Sequence, residues 1–395
     1  MTSKPQFAGE RVRLGDICDI CSGGTPKRSE SAYWSSGDIP WVKISDLSLM
    51  HVTKTEEHIT KSGLENSSAK MLAPGTILYS IFASIGATAM LDISAATNQA
   101  IAGIKLKSNA INNKFLYYWL KSQESVSKHS GRGVAQNNIN LTILRNMIVP
   151  VYSAPVQESI VGYFEHVESE INQVNLAITK LDILVKSRFV DMFGDQKTNN
   201  LGLPTSKLGN VAFVGSSKRV FKDELKDSGV PFFRGTEVGA LAFSERIKPE
   251  LFITREHYDE LVAHTGKPEV GDLLMPSICP GGQIWLVDTT KPFYFKDGRV
   301  LWVRPDHEIL DSTFLQYALR NRFVSDFDSF ASGTTFAELK IFVLKDLDVT
   351  LPSLSLQREF ADFASRVDKL RVVAEEQKKK LQTLYDSLAQ EYFAI

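Results

Sequence analysis

Three arrangements in this 395-residue chain place reactive residue types at suggestive spacings, and each is incomplete. Cys18 and Cys21 form a C-x-x-C, the spacing of half a zinc site, but a closed site needs four ligands. The passage "GRGVAQ" at 131–136 begins like a dinucleotide loop, yet Gln136 stands where the third glycine belongs. Asp306, followed later by Glu338 and Lys340, imitates the two acids and a lysine of a metal-dependent nuclease. That pattern is short and of a kind chance supplies. The sequence contains no G-x-x-x-x-G-K-[ST], no G-x-S-x-G and no Asn-Pro-Pro-aromatic motif of the methyltransferases that act on exocyclic amines. The expectation is a non-catalytic chain with no cofactor and no metal. A nuclease built on Asp306, Glu338 and Lys340 is one alternative, and a protein-binding scaffold that never touches DNA is another.

Polar loops point instead to nucleic acid. Residues 105–145 hold seven basic side chains against the single acid Glu124. The segment ends in "SGRGVAQNNIN", where glycine permits close backbone approach and Arg132, Gln136, Asn137 and Asn138 are of the types that pair with base edges. Later in the chain "ASGTTFAELK" offers Thr334, Thr335 and Lys340. A second pair of loops is rich in hydroxyls and cations, which suit phosphate. "SGGTPKRSESAYW" supplies Ser22, Gly23, Gly24, Thr25, Lys27, Arg28, Tyr33 and Trp34, with Lys43 beyond it. "GSSKRVFKD" supplies Ser216, Ser217, Lys218, Arg219 and Lys222, with Arg234 beyond it. The net charge of −1 argues against binding by bulk charge, so any DNA contact must be local or shared with partners.

These loops come in pairs because the chain is written twice. At a shift of 200 residues, Leu144, Val149, Gln157, Val167, Lys180, Leu181, Leu184, Ser187 and Phe193 meet identical residues. The match is ungapped over residues 133–193 and drifts upstream, where "APGTILYSIFASIGA" meets "EVGDLLMPSICPGGQ" and "GDIPWVK" meets "SGVPFFR". A repeat found at this scale outranks single motifs. It also sets Ala212 and Gly215 opposite the two cysteines, so no second ligand pair exists, and Asn138 opposite Glu338.

Each copy divides again. The early part mixes short β-type runs such as "TILYSIFA" and "AIAGIKLK" with the helical "NKFLYYWLKSQ". Then follow 156–193 and 356–393, which lack Gly and Pro apart from Gly162. Ile160, Phe164, Val167, Ile171, Val174, Ile178, Leu181 and Val185 alternate steps of four and three, a heptad seam. Phe363, Val367, Leu370, Ala374, Gln377, Leu381, Leu384 and Leu388 predict a second. Thirty-eight residues make a rod of roughly 57 Å, too long to bury its seam on its own domain. The predicted architecture is α+β: two repeated units, each followed by a long helix, with the helices pairing as an antiparallel coiled coil. The boundaries read 1–152, 153–198, 199–352 and 353–395.

Composition is that of a soluble globular protein, 43% hydrophobic and 23% charged. Three cysteines fit a reducing compartment better than a disulfide scaffold, and "MTSKPQFAGERVRLG" lacks the apolar stretch of a signal peptide, so a cytoplasmic protein is expected. Residues 71–91 carry no charge, but Pro74, Gly75 and Gly86 mark them as strands and turns rather than a membrane span.

With those residues in view, the chain resembles the DNA-specificity subunit of type I restriction–modification systems over nearly its whole length. The resemblance rests on "LGDICDICSGGTPKRSESAYWSSGDIPWVKISDL", "APGTILYSIFASIGATAM", "IVPVYSAPVQESIVGYF" and "SRFVDMFGD", with G-G-T-P followed by G-D-I-P-W the most specific part. "GSSKRVFKDELKDSGVPFFRGTEV" in the second copy departs from that pattern. The resemblance implies that each globular unit is a target recognition domain reading half of a split duplex DNA site. It further implies that the helices set the gap. Two modification subunits, which methylate adenine with S-adenosylmethionine, would dock on the chain, and ATP-driven restriction subunits would join through them.

Overall fold

Each copy of the repeat ties its own ends together before its long helix begins. Strand Glu10–Arg13 pairs antiparallel with Ile148–Val151, and Thr205–Lys207 with Asp348–Thr350. Pro150 fits there because a two-stranded ribbon leaves outward backbone positions unpaired. The computed structural model describes residues 9–82, 84–129, 139–330 and 338–393.

Between the ribbons the same pair of sheets is built twice. The larger sheet runs Cys18–Ser22, Ile101–Leu106, Ile77–Ser80, Thr88–Leu91, His51–Val52 in the first copy. In the second it runs Ala212–Gly215, Val300–Pro305, Leu273–Pro276, Trp285–Leu286. The smaller sheet has Ile39–Val42 or Val230–Phe233 at its centre, with one antiparallel and one parallel neighbour each time. The uncharged run 71–91 thus resolves into two strands that turn through Gly86, whose φ is 97°. All four residues of Ile77–Ser80 are buried, so the strand needs cover on both faces. Helix Asn113–His129 supplies part of it through Phe115, Leu116 and Trp119. Asp272, the charge in the second copy's equivalent run, is buried but held by Arg304 at 2.9 Å and by the Trp302 indole at 2.8 Å.

The long helices are Ala154–Phe193 and Leu354–Phe393, 40 residues each. Two compact units result: Met1–Leu176 with Glu375–Ile395, and Ala177–Ala374. In the first, Phe164 stacks on Phe393 at 5.3 Å and meets Tyr385 edge-on at 4.9 Å. In the second, Phe189 and Phe193 meet Phe360 at 5.3 and 5.6 Å, and Arg188 donates to Glu359 at 3.0 Å. Within each unit the start of one helix lies beside the end of the other, as antiparallel pairing requires. Each core therefore borrows a segment of the other copy's helix. Among the described residues no helix is long and apolar enough to cross a membrane.

The first predicted seam matches burial position by position, from Ile160 to Val185. The second is corrected. Leu370 and Leu384 are 58% and 46% exposed, and Gln377 is exposed as well, while Tyr385 is buried and Arg371 and Lys378 are half-buried. The buried line is the one the repeat dictates, 171, 178 and 185 mapping onto 371, 378 and 385. Leucines drew the expectation to the neighbouring line, but what a helix buries is decided by where its partner lies, not by its most apolar stripe.

Gln157 and Gln357 explain why the repeat is most legible at the helix start. Both are fully buried. Gln157 accepts from the Asn112 N–H at 2.8 Å and donates to the Tyr152 carbonyl at 2.8 Å. Gln357 accepts from the Asp311 N–H at 2.8 Å and donates to the carbonyls of Pro352 at 2.8 Å and Ile309 at 3.0 Å. Asn112 and Asp311 in turn accept from backbone N–H groups of the following helix. One amide thus clamps the long helix to the globular part in both copies.

Candidate nucleic-acid interface

In the first unit the glycines after strand Cys18–Ser22 are a packing joint. A Cβ on Gly23 would lie 2.2 Å from the Thr97 hydroxyl, and one on Gly24 would lie 2.3 Å from the Ala69 nitrogen. The Gly24 carbonyl accepts from the buried Trp41 indole at 3.0 Å. Gly23 and Gly24 are buried, and what requires glycine at both is the close approach of the neighbouring backbone and side chains. Thr25 donates to the Gln99 side chain, Ser22 is half-buried within its strand, and Lys27 is exposed. The Arg28 guanidinium lies 3.8 Å over the Trp34 ring and pairs with Glu57. Lys43 reaches Glu56 at 2.8 Å and Glu57 at 3.0 Å. The hydrogen bond from Arg28 holds the Glu57 carboxyl below its usual range, against its partial burial. Tyr33 sits at the end of the turn Ser31–Tyr33, its carbonyl accepting from the Thr60 N–H.

The second unit repeats the plan with other side chains. Ser216 and Ser217 donate to the carbonyls of Val300 and Phe295 at 2.6 and 2.5 Å. These bonds pin the loop on the sheet. Lys218, Arg219 and Lys222 are exposed. Arg234 bonds Glu237 through Nε at 3.1 Å and Glu250 through Nη2 at 3.0 Å. Burial alone would raise the Glu237 carboxyl, but the Arg234 bonds and backbone N–H groups hold it down at about 2.

Beside Arg234 opens a groove of about 720 Å³ lined by Thr236, Ser277, Gln283, Lys296 and Arg299, with Glu245 as its one acid. Lys296, Arg299 and Gln283 escaped the sequence reading. The signal was there for the two cations: they flank an Asp297-Gly298 turn, with Gly298 at φ 62°, a tight connection between strands of the two sheets that projects its neighbours.

Arg132, Gln136, Asn137, Asn138, Thr334 and Thr335 lie outside the described residues. The chain on their C-terminal side is anchored identically in both units. The Ile139 N–H donates to the Ile81 carbonyl at 3.0 Å, and the Leu339 N–H to the Ser277 carbonyl at 2.7 Å. A six-residue helix follows each time, Leu141–Asn146 and Ile341–Asp346. Ile139 and Leu339 thus occupy the same sheet position in their respective units, and in the second that position, at Ser277, borders the groove.

The nuclease constellation does not assemble. Glu338 is paired with both Arg299 and Lys340. Arg299 precedes strand Val300–Pro305 and Asp306 follows it, so at about 3.3 Å per residue Asp306 lies roughly 20 Å from Arg299. Two carboxylates so placed cannot share an ion. Among the described residues no cluster of His, Cys, Asp or Glu could hold a metal. Cys18 and Cys21, three apart on one strand, point to opposite faces. Burial raises the Cys18 thiol to about 12.

The family model described as "Type I restriction modification DNA specificity domain" matches residues 9–180 and again 202–383. The type I restriction enzyme MjaIX specificity subunit of Methanocaldococcus jannaschii is 25% identical over 245 residues, 56% of each chain. An Escherichia coli type I specificity subunit is 26% identical over 169 residues, 41% of each chain. The chain spans about half the length of these two relatives in the matched stretches (56% and 41%). Among solved structures, the type I restriction–modification S subunit from M. genitalium aligns over 100% of this chain and 98% of that one, with TM-score 0.54 and 15% identity. A chain from a structure on complex assembly and conformational transition of the type I R-M system aligns over 98% of both, with TM-score 0.58 and 17% identity. At those identities the structures speak to the fold, whereas the two family matches fall one on each copy of the repeat, and the chain belongs to the type I restriction modification DNA specificity family.

Proposed function

We infer that the chain is the sequence-reading, non-catalytic subunit of a type I restriction–modification complex. Residues 1–152 and 199–352 act as two target recognition domains, each reading one half of an asymmetric bipartite site on duplex DNA. The helical segments 153–198 and 353–395 set the gap between the halves. The observation that carries this reading is the duplicated anchor. Ile139 bonds Ile81 and Leu339 bonds Ser277 at equivalent sheet positions of the two units, while the sequences that precede these anchors, "SGRGVAQNN" and "ASGTTFAE", differ in side chains, as two readers of unlike sequences require.

Partners follow from charge and from exposed apolar surface. With a net charge of −1, the chain leaves much of the phosphate neutralisation to others. Leu176, Ile183 and Leu184 on the first long helix, and Leu370, Val372 and Val373 on the second, are exposed and suit docking of two methyltransferase subunits, which ATP-dependent restriction subunits would then join. The compartment is the cytoplasm. Mapping methylated adenines across the genome of cells carrying the chain tests the reading. The expected pattern is one split motif whose one half alone changes when Arg132, Gln136 and Asn137 become Ala. Equal change in both halves refutes two independent readers, and a DNA pull-down that recovers nothing in the presence of the methylase favours a protein scaffold.

A further inference from the structure

We propose that Glu338 sets specificity in the second unit by competing with DNA phosphate for Arg299 and Lys340. The proposal rests on the reading of the adjoining groove as a duplex-binding surface. Glu338 pairs with Arg299 and lies 2.5 Å from the Lys340 ammonium. Its side chain is 19% exposed, while those of Arg299 and Lys340 are 58% and 47% exposed. The acid is therefore tucked behind two outward-facing cations, one of which lines the groove. The neighbouring Leu339 N–H is bonded to the Ser277 carbonyl, so the acid is tethered at the rim.

A carboxylate offers a guanidinium the same bidentate pairing that a phosphate does. Phosphate from any sequence must displace Glu338 before it gains Arg299. Non-specific binding is almost wholly this phosphate term, whereas a matched site adds base contacts that offset the displacement. An acid placed there weakens the wrong complexes more than the right one, which is how a repulsive element creates discrimination. Arg234, on the same groove, is held likewise by Glu237 and Glu250. The first copy has the neutral Asn138 at the matching sequence position, so the device belongs to one half-site.

The test is fluorescence anisotropy of the full chain assembled with its methyltransferase subunits on a random-sequence duplex over a salt series, for wild type, Glu338→Gln and Glu338→Ala, with folding followed by circular dichroism. Each liberated cation should steepen the log–log salt slope by about 0.9, which amounts to about 3.5-fold in affinity between roughly 50 and 200 mM salt. Both variants should bind random duplex more tightly than wild type, and adding Arg299→Ala to Glu338→Gln should cancel most of the gain. Selection from a randomised duplex pool should show weaker base preference at one half-site only. A folded Glu338→Gln with the wild-type affinity and slope overturns the proposal while wild type still binds. If neither wild type nor variants bind duplex at any salt, the reading of the groove falls as well.

Discussion

Replacing Gln357 by Met tests whether the duplicated amide clamp, rather than the volume it fills, joins the long helix to its globular part. Gln357 is fully buried and makes three bonds, to the Asp311 N–H and to the carbonyls of Ile309 and Pro352. Met keeps most of the volume and abandons all three partners. Each buried backbone group left unpaired costs about 1–3 kcal/mol, or about 3–9 kcal/mol for three. Water reaching the Pro352 and Ile309 carbonyls would offset part, so about 3–5 kcal/mol is expected, a large share of a domain stability of about 5–15 kcal/mol. Gln357→Ala separates the terms. If hydrogen bonding dominates, Ala admits water and costs no more than Met; if packing dominates, Met recovers stability that Ala loses. Urea unfolding read by tryptophan fluorescence gives the totals, with hydrogen exchange at the Asp311 amide as the local reporter, because a two-unit chain need not unfold in one step. A loss under about 1 kcal/mol for Gln357→Met, with Asp311 still protected, would refute the clamp.

Gly162 is exposed within the first long helix and a Cβ there meets nothing within 4 Å, so Gly162→Ala should raise stability by about 0.5–1 kcal/mol in thermal unfolding. Glu237 is held at about 2 against an ordinary 4.5, so its contribution is complete above 4.5 and lost as the pH falls toward 2. Glu237→Gln should flatten the acid limb of a stability–pH profile in that window and leave neutral pH as the region of greatest loss. Four residues inserted near Ile171–Ile178, and matched at 371–378, lengthen each helix by roughly 6 Å. The preferred half-site gap should grow by one or two base pairs of about 3.4 Å, with the bases read unchanged; a folded insertion mutant that keeps the original gap would show that the helices do not set it.

The chain's one-dimensional pattern determined the repeat, the division of each copy into a β-rich part and a long helix, the first seam and the pairing of loops. Those features are periodic or local, and periodicity survives in a string. The twofold writing also held the second seam, since 371, 378 and 385 stand 200 residues after buried positions, but hydrophobicity outvoted it through Leu370 and Leu384. Tertiary structure alone decided what the polar loop residues do. Ser216, Ser217, Gly23 and Gly24 have the composition of a phosphate loop, yet in the fold their hydroxyls and backbones meet carbonyls and close contacts supplied by residues 45 to 84 positions away. Arg28, Arg234 and Arg299 look alike as letters. Glu237 stands three residues after Arg234 and is legible in the sequence, but only the fold places Glu57 beside Arg28 and Glu338 beside Arg299, because a cation's availability depends on the carboxylate within a few ångströms and not only on the charge of its neighbours in sequence.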